Sequence, residues 1–158
     1  MELLLWVGKN VQGIVCKGKR FVEHESVIKD LSSARALTSY PEAYEAGKHI
    51  DCIWFTQDGG KMPAILEIEH STGVLSGMNR MMRFKEEAPD FAHMTYIIVA
   101  DDDDRVDVVK KANHPQFSSL NVKFLPYSAV EDLYLLSLWG IKGINNTEFI
   151  HTFLEEVS

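Results

Sequence analysis

Two apolar, strand-like runs stand back to back in the middle of this chain, and a helical period begins directly after them. "HIDCIWF" (49–55) is β-branched and aromatic, "QDGGK" (57–61) carries the residues of a tight turn, and "PAILEIEH" (63–70) is again strand-like. From Ser71 the period changes: Val74, Leu75, Met78, Met81 and Met82 recur at helical spacing until Pro89. An antiparallel hairpin that feeds a helix argues against a simple doubly wound parallel sheet.

The flanking segments extend the pattern. "MTYIIVA" (94–100) reads as a buried strand, and Asp101–Asp104 lead into a helix with Val106, Val109 and Ala112 on one face. "NVKFLPY" (121–127) is a further strand. In "SAVE" (128–131) Ser128 caps a helix that runs to Gly140 while Glu131 reaches back. An amphipathic helix, "TEFIHTFLEEV", closes the chain. Before the hairpin, residues 2–9 form a short helix candidate, "VQGIVC" a strand, and "KGKR" a hairpin tip leading to "FVEHE". Residues 26–38 are weakly helical, and "YPEAYEAGK" is a short helix with Pro41 in its first turn and Gly47 as its stop. The expectation is an α/β (mixed α+β) fold, a central mixed sheet flanked by helices, in one domain over residues 1–158.

At 46% hydrophobic and 25% charged, the 158 residues have an ordinary globular composition. No apolar run approaches the roughly 18 residues of a membrane span, and "LLLWV" lacks the flanks of a signal peptide. Cys16 and Cys52 show no paired spacing, and the reading is two reduced thiols in a cytoplasmic protein. A net charge of −7 argues against a simple basic coat for nucleic acid. It leaves room for an enzyme that gathers acids around a metal and meets the phosphate backbone through a local basic patch. Neither G-x-G-x-x-G nor G-x-x-x-x-G-K-[ST] is present, so a nucleotide-binding reading has no phosphate loop.

Glu67 and Glu69 interrupt the second strand. Side chains two apart on a strand share a face and stand about 7 Å apart along the chain. Two like charges on a buried face are costly without a positive partner. If the strands pair as a hairpin, Asp51 at the start of the first lies beside the end of the second, and three carboxylates converge. Mg²⁺ is typically held by one or two carboxylates, waters and substrate phosphate oxygens. Such an ion lowers the pKa of a bound water and neutralises charge on a phosphodiester, and the second glutamate can position or deprotonate the water.

These residues resemble the PD-(D/E)XK nuclease superfamily, in which a strand-borne Asp is followed by (Asp/Glu)-X-Lys on the next strand. "IDCIWF…PAILEIEHSTGVLSGMNRM" is similar to restriction-endonuclease domains over about residues 49–84. The later "ADDDDRVDVVKKANHPQF" fits more loosely, and the first 48 residues match in outline only. The Pro of the family's Pro-Asp is absent, and its Lys is Glu69 here, as in restriction endonucleases that carry Glu-X-Glu. The resemblance implies Asp51 and Glu67 as ligands of Mg²⁺ or Mn²⁺, with the Ile68 carbonyl completing the coordination and Glu69 as the general base or water-orienting group. It implies DNA as partner and a restriction or defence setting. One site cuts one strand, so double-strand cleavage would take a homodimer or a larger restriction protein. The rival from the binding class is the same fold kept as a catalytically silent module for nucleic acid or protein.

Candidate DNA contacts are Ser71 and Thr72 at the helix start, whose simplest role is capping. Arg80 and Arg83 form a stripe on that helix, suited to phosphate oxygens or to a solvated face. Lys17, Lys19 and Arg20 form the densest basic cluster, either a hairpin tip entering a groove or a soluble turn. His70 points away from the glutamates and reads as a hydrogen-bonded core histidine. Gly73 and Gly77 permit close packing of helix on sheet, and the run Asp101–Asp104 suits a helix start.

Overall fold

A computed structural model describes residues 3–7 (backbone only), 35–56, 58–69, 73–143 and 147–157. Among the described residues, six strands form one sheet in sequence order: β1 (Leu3–Val7), β2 (Cys52–Thr56), β3 (Ala64–Ile68), β4 (Thr95–Ala100), β5 (Lys123–Pro126) and β6 (Glu155–Glu156). The β1/β2, β2/β3 and β5/β6 pairs are antiparallel; β3/β4 and β4/β5 are parallel. Parallel neighbours need a crossover. Helix α2 (Val74–Glu87) supplies it between β3 and β4, and α3 (Arg105–Ala112) between β4 and β5. The mixed sheet with flanking helices is the α/β architecture the sequence implies.

Two-residue alternation sorts the strands into two cores. Ile53, Phe55, Ile65, Tyr96, Ile98 and Phe124 face one side, with Val74, Met78, Met81 and Phe84 of α2 and Val108 and Ala112 of α3. Ala43 and Ala46 of α1 (Pro41–Gly47) join that layer. Cys52, Trp54, Ala64, Leu66, Ile97, Val99 and Leu125 face the other side, against Tyr127, Ala129 and Val130 of α4 (Tyr127–Leu138). Strands covered on both faces read as nearly continuous apolar runs, as β3 and β4 do.

The β2–β3 turn is held by its own polar groups. The Thr56 hydroxyl donates to Asp58 (2.6 Å), the Gly60 N–H to Asp58 (3.0 Å) and the Lys61 N–H to Thr56 Oγ1 (3.0 Å). Gly59 adopts φ +65°, which glycine reaches without steric cost.

Four local expectations change. Residues 3–7 are a strand, not a helix: a short apolar run carries no decisive period, and the open edge of β2 recruits it. The closing helix is only α5 (Thr147–His151); the chain then turns to lay β6 on the free edge of β5, where Lys123 and Glu156 form an ion pair. Val106 is 78% exposed, because the 3₁₀ turn Asp102–Asp104 sets the helix phase so that Val108 and Ala112 face inward. Ser128 lies inside α4 rather than capping it. Its N–H (3.1 Å) and hydroxyl both donate to Asp102, which does the capping, and Glu131 is exposed. Cys52 is a free buried thiol; Cys16 and the expected elements over 8–34 lie outside the described residues. Among the described residues no helix is long and apolar enough to cross a membrane.

Phe84 is fully buried where α2 meets the sheet. Phe84→Ala should lower the unfolding free energy by about 3–5 kcal/mol, read as a fall in the urea midpoint at unchanged m-value.

Candidate functional site

Asp51 precedes β2 by one residue. The register that sets Cys52 opposite Leu66 places Asp51 across from Glu67 when continued by one pair. Glu67 follows Ile65 by two residues and shares its face, toward α2; Glu69, just past the strand, returns to the same face. Asp51, Glu67 and Glu69 each offer a carboxylate oxygen, and these oxygens lie within 4.8 Å of one another. Glu67 is wholly buried and Glu69 nearly so. Asp51 Oδ2 accepts the Ile68 N–H at 2.9 Å, tying the first acid to the strand that carries the others.

The backbone of Glu69 is fixed at both ends. Its N–H donates to the Val99 carbonyl (2.8 Å), prolonging the β3/β4 ladder, and its carbonyl accepts the Tyr127 hydroxyl (3.0 Å) from the start of α4.

Room for the carboxylates comes from α2. A Cβ on Gly73 would stand 1.7 Å from Glu69 Oε2; one on Gly77 would stand 2.5 Å from Glu69 Oε1 and 3.0 Å from Glu67 Cβ. The two glycines, four apart, are one turn of the same face. They do permit close packing, but what they admit is the pair of glutamate side chains.

Arg80, next along that face, fills the space between the acids. Its Nε donates to Glu67 Oε1 (3.0 Å), its Nη2 to Glu67 Oε2 (2.6 Å) and Glu69 Oε1 (2.9 Å), and its Nη1 to Ser76 Oγ (2.8 Å). The side chain is 29% exposed. The stripe expected from Arg80 and Arg83 therefore divides. Arg80 turns onto the two glutamates, whose buried oxygens it supplies with hydrogen bonds, while Arg83 is exposed.

Burial pushes the Glu67 carboxyl up to about 9, against the opposing pull of Arg80 and with reinforcement from the Asp51 charge. Burial also raises Glu69, opposed by Arg80 and a Gly77 backbone hydrogen bond. The Arg80 guanidinium is raised by its hydrogen bond and charge contact with Glu67. These shifts describe a site short of positive charge. Since Glu67 binds its proton more tightly folded than unfolded, its contribution is complete below about 4.5 and is lost as pH rises toward about 9. Without divalent ions, the thermal midpoint should therefore fall across that window, and Glu67→Gln should flatten the slope.

Gly77→Ala puts a methyl against both glutamates. It should destabilise the fold by about 1–3 kcal/mol, the cost of overpacking, read as a fall in the urea midpoint.

Of the residues singled out by sequence, the structure brings Asp51, Glu67 and Glu69 together and adds Arg80 to them. Ile68 enters through its N–H, and its side chain packs on the opposite face of the sheet. Lys17, Lys19, Arg20, His70, Ser71 and Thr72 lie outside the described residues. The acids Asp101 and Asp102 serve local caps, Asp101 accepting the Asp103 N–H at 3.0 Å. Sequence reasoning missed Tyr127 and the bridging role of Arg80. The spacing Gly73, Gly77, Arg80, which places all three on one helix face, was the available signal for the second.

The family described as the type II restriction enzyme NmeDI C-terminal domain matches residues 1–157. The type II restriction enzyme NmeDI of Neisseria meningitidis serogroup C is 40% identical over 154 residues, covering 96% of this chain and 43% of that protein. The chain thus spans less than half the length of this curated relative. No solved structure gives a significant match.

Proposed function

The chain belongs to the family of type II restriction enzyme NmeDI C-terminal domains, and from that premise we propose that it is a metal-dependent DNA endonuclease domain of the PD-(D/E)XK kind, with Glu69 in the place of the lysine. The observation that carries this reading is the convergence of Asp51, Glu67 and Glu69 within 4.8 Å at the end of the β2–β3 hairpin. Three hard oxygens so grouped fit Mg²⁺ or Mn²⁺. Asp51 and Glu67 would hold the ion, with the Ile68 carbonyl beside them. Bound there, it would supply a water of lowered pKa and neutralise charge on the phosphate.

Glu69 is the group to accept the proton of the attacking water. As the water's oxygen bonds to phosphorus, the bond from phosphorus to the leaving sugar oxygen breaks, and that oxygen regains a proton from solvent. Burial raises the Glu69 carboxyl, the direction that strengthens it as a proton acceptor. Its doubly anchored backbone keeps the acceptor still. Ser71, Thr72, Arg83, Lys17, Lys19 and Arg20 are the proposed contacts to the DNA backbone. Because the chain spans 43% of its relative, we assign cleavage of both strands to a homodimer or to a larger restriction protein that contains this domain. The setting would be cytoplasmic, in defence against foreign DNA.

One observation favours a second reading. Arg80 already balances Glu67 and Glu69, as a purely structural ion-pair cluster would in a catalytically silent module that binds nucleic acid or protein. Plasmid nicking separates the two. Cleavage with Mg²⁺ should be abolished by EDTA and should fall by about 100-fold or more in Glu67→Ala, the upper end for damage to a metal site. Equal background in both proteins, with no Mn²⁺ binding that Asp51→Ala abolishes, favours the silent module.

A further inference from the structure

We propose that Arg80 is the resident cation of this site: in the ion-free protein it closes the acid cluster, and it yields Glu67 to an entering divalent ion while keeping Glu69. The proposal deepens the endonuclease reading and rests on it.

Three features of the geometry carry it. The guanidinium touches both acids at once, by Nε and Nη2 on Glu67 and by Nη2 on Glu69, so it sits between the carboxylates rather than beside them. A divalent ion held by Glu67 would set a second positive charge against the guanidinium and draw on the same two oxygens, so it would weaken the bidentate pair. Arg80 also has a second anchor. Ser76 Oγ, one helical turn back, accepts from Nη1 at 2.8 Å and holds the side chain near the site after Glu67 is released. The charge count agrees. Three ionised carboxylates are balanced by one guanidinium together with one divalent ion, so Arg80 need not leave for the site to reach neutrality.

Release also changes what the guanidinium can do. Of its five N–H groups, three are spent on the acids and one on Ser76. Giving up Glu67 frees two more beside the fifth, which has no acceptor among the described residues, on a side chain that is 29% exposed. Two parallel N–H groups suit a phosphate edge. Arg80, from the helix, then stands where it can bring the positive charge that Glu69 cannot offer from the strand.

The test follows Arg80 directly. In ¹⁵N-labelled protein the Arg80 Nε–H signal should shift, and exchange faster with water, as Mg²⁺ is added. Arg80→Gln should bind Mn²⁺ about ten-fold or more tighter by titration calorimetry, the scale of one charge-assisted contact no longer in competition. Nicking by Arg80→Gln at saturating Mg²⁺ should nevertheless drop, with partial rescue in Arg80→Lys. Thermal unfolding of each variant confirms that it is folded. An Nε–H signal unmoved at saturating Mg²⁺, or unchanged or weaker Mn²⁺ affinity in folded Arg80→Gln, overturns the exchange. Tighter binding with wild-type nicking overturns the phosphate contact. A wild-type protein that binds Mg²⁺ and nicks DNA while Arg80 stays fixed defeats this inference alone; one that neither binds nor nicks defeats the endonuclease reading with it.

Discussion

Three carboxylates share a space closed by a sheet on one side and a helix on the other, with a single guanidinium between them. Removing even one ionised carboxylate from water is costly. A buried cluster of this composition persists only where the surroundings impose it, and here they do so from every direction. β3 lies between two strands, so neither glutamate can swing to an open edge. The Glu69 backbone is bonded to β4 and to α4. Asp51 is bonded to the backbone of the strand it faces. The fold supplies the stability, and the acids draw on it.

Helix α2 has a divided surface that serves both needs. One stripe, Val74, Met78, Met81 and Phe84, fills the core. The adjoining stripe, Gly73, Gly77 and Arg80, is shaped around the acids: two positions with no side chain, then one long enough to reach back over them. A buried ion pair of this kind is weak evidence for stability in itself. Its value lies in positioning, because a guanidinium held by three carboxylate oxygens and a hydroxyl has one orientation.

Much of this was legible in the sequence where a local pattern had a single physical meaning. The hairpin 49–70 could be read from two β-branched runs and a Gly-Gly turn, and α2 from its period and from Pro89. The convergence of Asp51 with the glutamates followed from antiparallel pairing alone. Legibility failed where the deciding partner was remote. The edge of β2 turns residues 3–7 into a strand, and the edge of β5 does the same for Glu155–Glu156. Asp102 takes the capping role that the "SAVE" spacing gave to Ser128 and Glu131. Arg80 was read as an outward-facing charge because the helix wheel does not say how far a long side chain bends back. Its destination depends on the unpaired acids of another element.

The β2–β3 hairpin has a wet end and a chemical end. Its turn, fastened by Thr56 and Asp58, is separated from Asp51 and Glu69 by the full length of both strands. Five residues at roughly 3.4 Å each make that about 17 Å. The turn thus lies one strand length from the acids and is joined to them through the ladder of β2 and β3.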